Sequence, residues 1–224
     1  MAHGPKKLKA FKLRKQKKSY REIAEQLEIS KSTVSYWFKD IDWSNDIKKQ
    51  LDERNRRISL KRLENLIKLR KIKYQKLYIE AENEAIKEFS KLKKDYLFIS
   101  GIYIYWTEGD RNSIRGPLKV SNTDPRMLRI FKNFLIQICR VDINKIKSHT
   151  VIYPDLEENK CVNYWSKNIG IKKKNIYKST VIQGRHKVRR LPYGIGSVSV
   201  SNKYLKKKVL KWIDLLAEYH IGRE

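Results

Sequence analysis

Glu108 poses the sharpest chemical problem in this chain. It closes the run Leu97-Phe-Ile-Ser-Gly-Ile-Tyr-Ile-Tyr-Trp-Thr-Glu-Gly109, which is apolar at nearly every position before it. A carboxylate placed where a buried helix stops is costly unless its charge is compensated. Lys and Arg number 52 against 24 Asp and Glu, a formal charge of +28. In so basic a chain, the expected compensating partner is a divalent metal held against a phosphate. Three further groups have chemical potential. His149 on an alternating stretch can serve as a general base. Arg185, His186, Lys187, Arg189 and Arg190 form a basic run suited to phosphate contact. Cys139 and Cys161, far apart and without zinc-ligand spacing, read as packing residues in a reducing cytosol.

Such an excess of cations destabilises a compact protein by self-repulsion, so a polyanionic partner is expected. Thirteen Tyr and five Trp provide the apolar mass for a core, so the chain is not a disordered basic tail. The apolar run near 97–106 is far shorter than the ~20 residues that span a bilayer, so no membrane association is expected. The expected location is the cytoplasm, at the nucleoid.

Three regions must position these groups. Residues 1–42 are compact and basic. Residues 43–95 are highly charged and free of Gly and Pro. Residues 96–224 hold all but one of the nine glycines and four of the five prolines. In the first region, Ser19-Tyr-Arg-Glu22 reads as a capping box, and Ile23, Ala24 and Leu27 follow on one helical face. Glu28-Ile29 makes a turn, and Ser30 caps a second helix that turns Val34, Trp37 and Phe38 inward. Positions 19–37 closely resemble a resolvase-type helix-turn-helix. The resemblance implies that helix 31–38 enters the DNA major groove, with Lys31, Ser32, Thr33, Ser35 and Tyr36 as base and phosphate contacts. Lys6, Lys7, Lys9, Lys12, Arg14, Lys15, Lys17 and Lys18 surround it and favour DNA.

The middle region reads as one or two long helices, opened by Trp43 as a hydrophobic staple and Ser44 as a cap. Ile47, Leu51, Ile58, Leu63, Leu66, Ile67, Arg70, Tyr74, Leu77, Ala81, Ala85, Phe89 and Leu92 form its stripe. A dimerising coiled coil fits the spacing, and so does a spacer helix whose stripe packs on the third region.

The third region begins with the apolar helix. A hairpin turning at Arg115-Gly116-Pro117 follows, then a helix opened by Asp124-Pro125 and a strand over 146–153. A short helix over 163–169, strands over 176–183 and 194–201, and a helix over 202–219 complete it. Apart from the short helix, this order is αββαββα: an α+β fold with an antiparallel sheet covered by helices on one face.

Gly101-Ile-Tyr-Ile-Tyr-Trp-Thr-Glu-Gly109, followed by Val120-Ser-Asn-Thr-Asp-Pro125, resembles a divergent LAGLIDADG homing-endonuclease motif of a Tyr-Trp-x-Glu-Gly form. The family fold has the same αββαββα order. The resemblance implies that two motif helices of a dimer pack together and present their acidic ends to DNA. Glu108 and Gly109 then sit at a Mg²⁺ (or Mn²⁺) site. Gly109 is expected to allow the sharp chain reversal there. Tyr103 stands where the family has a close-packing Gly; Gly101 and Thr107 are the residues available to replace it. One motif per chain implies a homodimer on a near-palindromic target.

The sheet is expected to face DNA through Lys119 and Ser121, and through Arg185, Lys187, Arg189 and Arg190. Lys178 and Gln183 are the candidates to act with Glu108 near the scissile phosphate. The expected activity is metal-dependent double-strand cleavage of DNA. A non-cleaving DNA-binding regulator and an RNA-binding maturase are the alternatives on the same scaffold.

Overall fold

The computed structural model describes residues 4–111, 116–183 and 191–222. The chain divides into two compact units, Met1–Lys73 and Tyr74–Glu224. The division falls within a single helix, α4 (Asp42–Leu92).

The N-terminal unit opens with α1 (Gly4–Lys15), α2 (Tyr20–Leu27) and α3 (Lys31–Trp37). The capping box forms as expected: Ser19 N–H donates to Glu22 Oε2 at 2.7 Å, and Glu22 N–H donates to Ser19 Oγ at 3.2 Å. Helix α2 stops because Glu28 adopts a left-handed conformation at φ 49°, a site that usually takes glycine. Ser30 then caps α3 by accepting from Thr33 N–H. Ala10, Ile23, Ala24, Val34 and Phe38 form the core, with Phe11, Tyr20, Trp37 and Trp43 packed around it. Helix α1 was not apparent in the sequence, because only one face of a very basic segment supplies Ala10 and Phe11 to this core. Ser44 does not cap α4. The helix starts at Asp42, and Ser44 is fully buried inside its first turn.

The C-terminal unit is α+β. It contains α5 (Tyr96–Glu108), β1 (Leu118–Asn122), α6 (Pro125–Gln137), β2 (Lys147–Ile152), α7 (Glu158–Ile169), β3 (Thr180–Val181), β4 (Ile195–Val200) and α8 (Lys203–Ile221). The strand order is β1-β4-β2-β3. Strand β4 is antiparallel to both neighbours, but β2 and β3 are parallel. The sheet is therefore mixed and not wholly antiparallel. Helix α7 connects β2 to β3, and a crossover of this kind returns the chain in the same direction. Strand β3 is also much shorter than the expected 176–183, with Ile176 joining Ser148 only through an isolated bridge. For the expected hairpin, Gly109 bridges Val120 antiparallel, and residues 112–115 lie outside the described ones.

Register assigns the two sheet faces. Leu118, Val120, Val198 and Val200 are buried beneath the helices, where Phe98, Ile102, Tyr105, Phe131, Phe134 and Trp212 complete the core, and Ile152 of β2 is buried as well. Lys119, Ser121, Lys147, His149, Ser197 and Ser199 alternate with them onto the opposite face. The last third of α4 belongs to this unit. Its Ala81 and Ala85 are fully buried, Phe89 and Leu92 pack on the core, and Trp212 Nε1 donates to Ala85 O at 3.0 Å.

Candidate nucleic-acid interface

In the N-terminal unit, packing of Val34 and Phe38 leaves the other side of α3 to solvent. Lys31, Ser32, Ser35 and Tyr36 are exposed, Tyr36 to 78 %. Thr33 is half-buried, and its hydroxyl lies 2.8 Å from Ser30 Oγ, so the helix cap holds it. Ser32 Oγ also approaches Ser30 Oγ, at 2.7 Å. The side chains free to reach outward are therefore those of Lys31, Ser35 and Tyr36.

Arg14 is not part of the basic surface. It is 1 % exposed, with its guanidinium 4.4 Å from the Tyr20 ring centroid. Its Nε donates to Ser44 Oγ at 2.9 Å, one terminal nitrogen to Ser44 O at 2.6 Å, and the other to Lys18 O at 2.8 Å. Burial lowers the Arg14 pKa, although a guanidinium remains charged throughout the working range. This cation joins α1 to the start of α4 and to the chain after α1. Lys6, Lys7, Lys9, Lys12, Lys15, Lys17 and Lys18 remain exposed.

In the C-terminal unit, Asp95 starts α5 by accepting from Phe98 N–H at 2.8 Å. Glu108 is the last residue of α5 and is exposed. Gly109 has φ −87° and ψ 149°, an extended conformation open to any residue, so chain reversal does not require glycine. Close approach does. A Cβ there would lie 2.3 Å from Tyr105 O and 2.4 Å from the Tyr105 ring. The buried Tyr105 hydroxyl donates to Asp110 O at 2.8 Å, which fastens the segment after Glu108. Burial first, and then the Asp110 charge, raise the Tyr105 pKa, so it stays a donor. Asp110 N–H then donates to Lys119 O at 3.3 Å, joining this corner to β1.

Gly101 is used within the chain: a Cβ there would lie 2.2 Å from Phe134 Cγ of α6. It therefore does not replace the glycine of a helix–helix contact between copies. Tyr103 is 40 % exposed and stacks on Trp106 at 5.8 Å between centroids.

The sheet face away from the helices carries two polar rows, half-buried apart from the buried Ser197. Lys119, Ser199 and Lys147 lie across β1, β4 and β2, and Ser121, Ser197 and His149 lie beside them. Lys147 Nζ donates to Asn175 Oδ1 at 2.8 Å. His149 Nε2 lies 3.0 Å from Thr180 Oγ1. Burial, and then the Lys119 charge, hold the His149 pKa below its ordinary 6.5, which favours a neutral ring at pH 7. Lys147 was not singled out from the sequence, although its alternation with buried Ile146 and Ser148 signalled this face.

The expected trio does not meet within one chain. Glu108 leads into β1 at one edge of the sheet, whereas Lys178 and Gln183 flank β3 at the other. Three strand spacings, roughly 14 Å, separate those edges. Lys119 and Ser121 are the expected contacts nearest to the Glu108 corner in topology. Arg185, His186, Lys187, Arg189 and Arg190 lie outside the described residues. Among the described residues, no group of three or more His, Cys, Asp or Glu is placed to hold a metal ion. None of their helices is long and apolar enough to cross a membrane.

Three short helices, a capped turn and an exposed third helix define a helix-turn-helix domain. Residues 5–42 match the family model of a homeodomain-like domain, which covers α1 to α3 and supports DNA binding. No curated protein and no solved structure matches the chain.

Proposed function

We propose that this protein binds specific duplex DNA through α3 and, as a homodimer, cleaves both strands with the LAGLIDADG-like C-terminal unit. The observation that carries the reading is the α5 corner. An exposed carboxylate ends an apolar helix, and Gly109 after it bridges Val120 of the edge strand of a sheet whose polar face is half-buried. Helix-terminal carbonyls favour a cation near Glu108. Oxygen donors of this kind suit Mg²⁺, which takes one or two carboxylates together with water and phosphate oxygens. Glu108 and the Gly109 carbonyl would hold the metal, which supplies charge compensation at a scissile phosphate. Tyr105 fixes the corner, and Lys119, Ser121 and Lys147 orient the DNA backbone along the sheet.

A divalent-metal cleavage assay on a randomised duplex library tests this reading. Wild type cuts both strands of a recovered target, and Glu108→Gln binds that target but loses at least ~10²-fold in cleavage. Unchanged cutting by Glu108→Gln would remove the proposed chemistry. The half-exposed Tyr103 favours a second reading, a regulator that binds without cleaving, because its ring obstructs close helix approach. Wild-type binding without cleavage in any divalent metal would select that reading.

A further inference from the structure

The helix between the two units carries a surface that the helix-turn-helix does not explain. Arg54, Arg57, Lys61, Glu64, Lys68 and Lys71 recur at steps of three and four, so they share one side of α4. All six are exposed. Glu64 is the only acid in this row, leaving five cations against one carboxylate. Leu60, Leu63 and Ile67 follow the same rhythm along one flank of the row, and Ile58 and Ile72 lie along its other edge. Lys61, Lys68 and Lys71 make no ion pair among the described residues, and Arg57 has only Glu53, one turn away at 3.2 Å. Like charges at this spacing destabilise an isolated helix, so an uncompensated row calls for an external anion. The row begins beside the helix-turn-helix: Glu22 is held below its ordinary pKa mainly by the Ser19 N–H, with Arg54 a smaller contributor.

We infer that this ridge is a second DNA-contacting surface, which engages the phosphate backbone of duplex flanking the site read by α3. The inference rests on the DNA-binding reading of the N-terminal unit and is independent of cleavage. From Arg54 to Lys71 the helix runs about 26 Å. Duplex of that length presents roughly 15 phosphate charges, ample for five cations. Contacts of this type lack base information, so the ridge adds affinity and salt sensitivity but no sequence preference.

The test compares two full-length variants on a target recovered from a randomised duplex pool. One carries R54Q, R57Q, K61Q, K68Q and K71Q on the ridge. The other carries K48Q, R56Q, R62Q, R70Q and K73Q on the opposite side of the same helix. Both lose five charges, and Gln matches Lys and Arg in helix propensity. At about 0.9 per neutralised phosphate, the ridge variant should lower the slope of log K against log salt by roughly 4.5. The opposite-face variant should change it by less than about 1, and both should keep the target preference. Equal losses from the two variants, or no loss from the ridge variant, would overturn the inference. S35A/Y36A separates it from the underlying reading, by losing target preference while keeping most of the salt slope. Absence of salt-dependent duplex binding by wild type would overturn both.

Discussion

Arg14 shows how one side chain can change its meaning once its surroundings are known. In a run of lysines it reads as another phosphate contact, yet its guanidinium fork donates to the buried Ser44 Oγ and Ser44 O and to the half-buried Lys18 O. Arg14→Ala leaves Ser44 Oγ, Ser44 O and Lys18 O without that donor and should cost about 3 kcal/mol. Hydrogen exchange at α1 and α2 amides would report the loss as lower protection. Arg14→Lys should lose most of it too, because an ammonium cannot reproduce the planar fork; full protection in that variant would contradict the account. Gly109 makes a parallel case. Its backbone angles suit any residue, but Gly109→Ala drives a methyl into the Tyr105 carbonyl and ring. The expected cost is about 2 kcal/mol, read as a lower melting temperature. An unchanged melting temperature would show that the corner yields easily.

Between elements, the attachment of α4 to α8 in the C-terminal unit depends on charge as well as on apolar packing. Lys208 pairs with Glu84 at 3.2 Å and Glu88 at 2.7 Å, and Lys207 pairs with Glu82 at 2.7 Å. Tyr204 donates to Glu84, and that hydrogen bond is the main reason the Glu84 pKa lies below its ordinary 4.5. The same bond, with burial, pushes Tyr204 up to about 12. A depressed carboxylate pKa contributes stability that is fully present above the unfolded value and lost as pH falls through the folded value. The α4–α8 contact should therefore weaken as pH drops below about 4.5, before pH-independent apolar packing fails. Trp212, bonded to Ala85 O, should report this by fluorescence. Glu84→Gln should flatten that acid response, and an unaltered profile would place the transition elsewhere. The stripe at Ala81, Ala85, Phe89 and Leu92 was legible as helical spacing, and its contact with the core resolves the choice for that third of α4. The parallel β2–β3 pair was not legible, because alternation marks a strand but carries no information about its neighbour's direction.

For the molecule as a whole, the formal charge of +28 must be reconciled with two compact units. A polyanion is the natural counterpart, and the homeodomain-like match supports DNA in that role for the N-terminal unit. Dimerisation is the global property that the proposed cleavage requires. Tyr103 on α5 is 40 % exposed, stacked on the half-buried Trp106 and 6.2 Å from the His220 ring; two copies that meet there would do so through aromatic contact and not through the close helix approach that a glycine permits. Tyr103→Glu should weaken self-association at least tenfold in sedimentation and abolish double-strand cutting, while target binding through α3 persists. Retained dimers in that variant would place the interface elsewhere.

Local pattern alone determined the helix-turn-helix, its Ser19 and Ser30 caps, the apolar α5 ending at Glu108, and the alternation of β2 around His149. Each depends on spacing within one element, which the chain displays directly. Tertiary structure alone decided that Arg14 is buried and that Gly101 serves Phe134. It also decided that Gly109 is required by proximity to Tyr105, and that Lys178 and Gln183 lie at the sheet edge away from β1. Those properties come from contacts between segments distant in sequence or from strand order, and the chemistry of a residue is set by what packs against it.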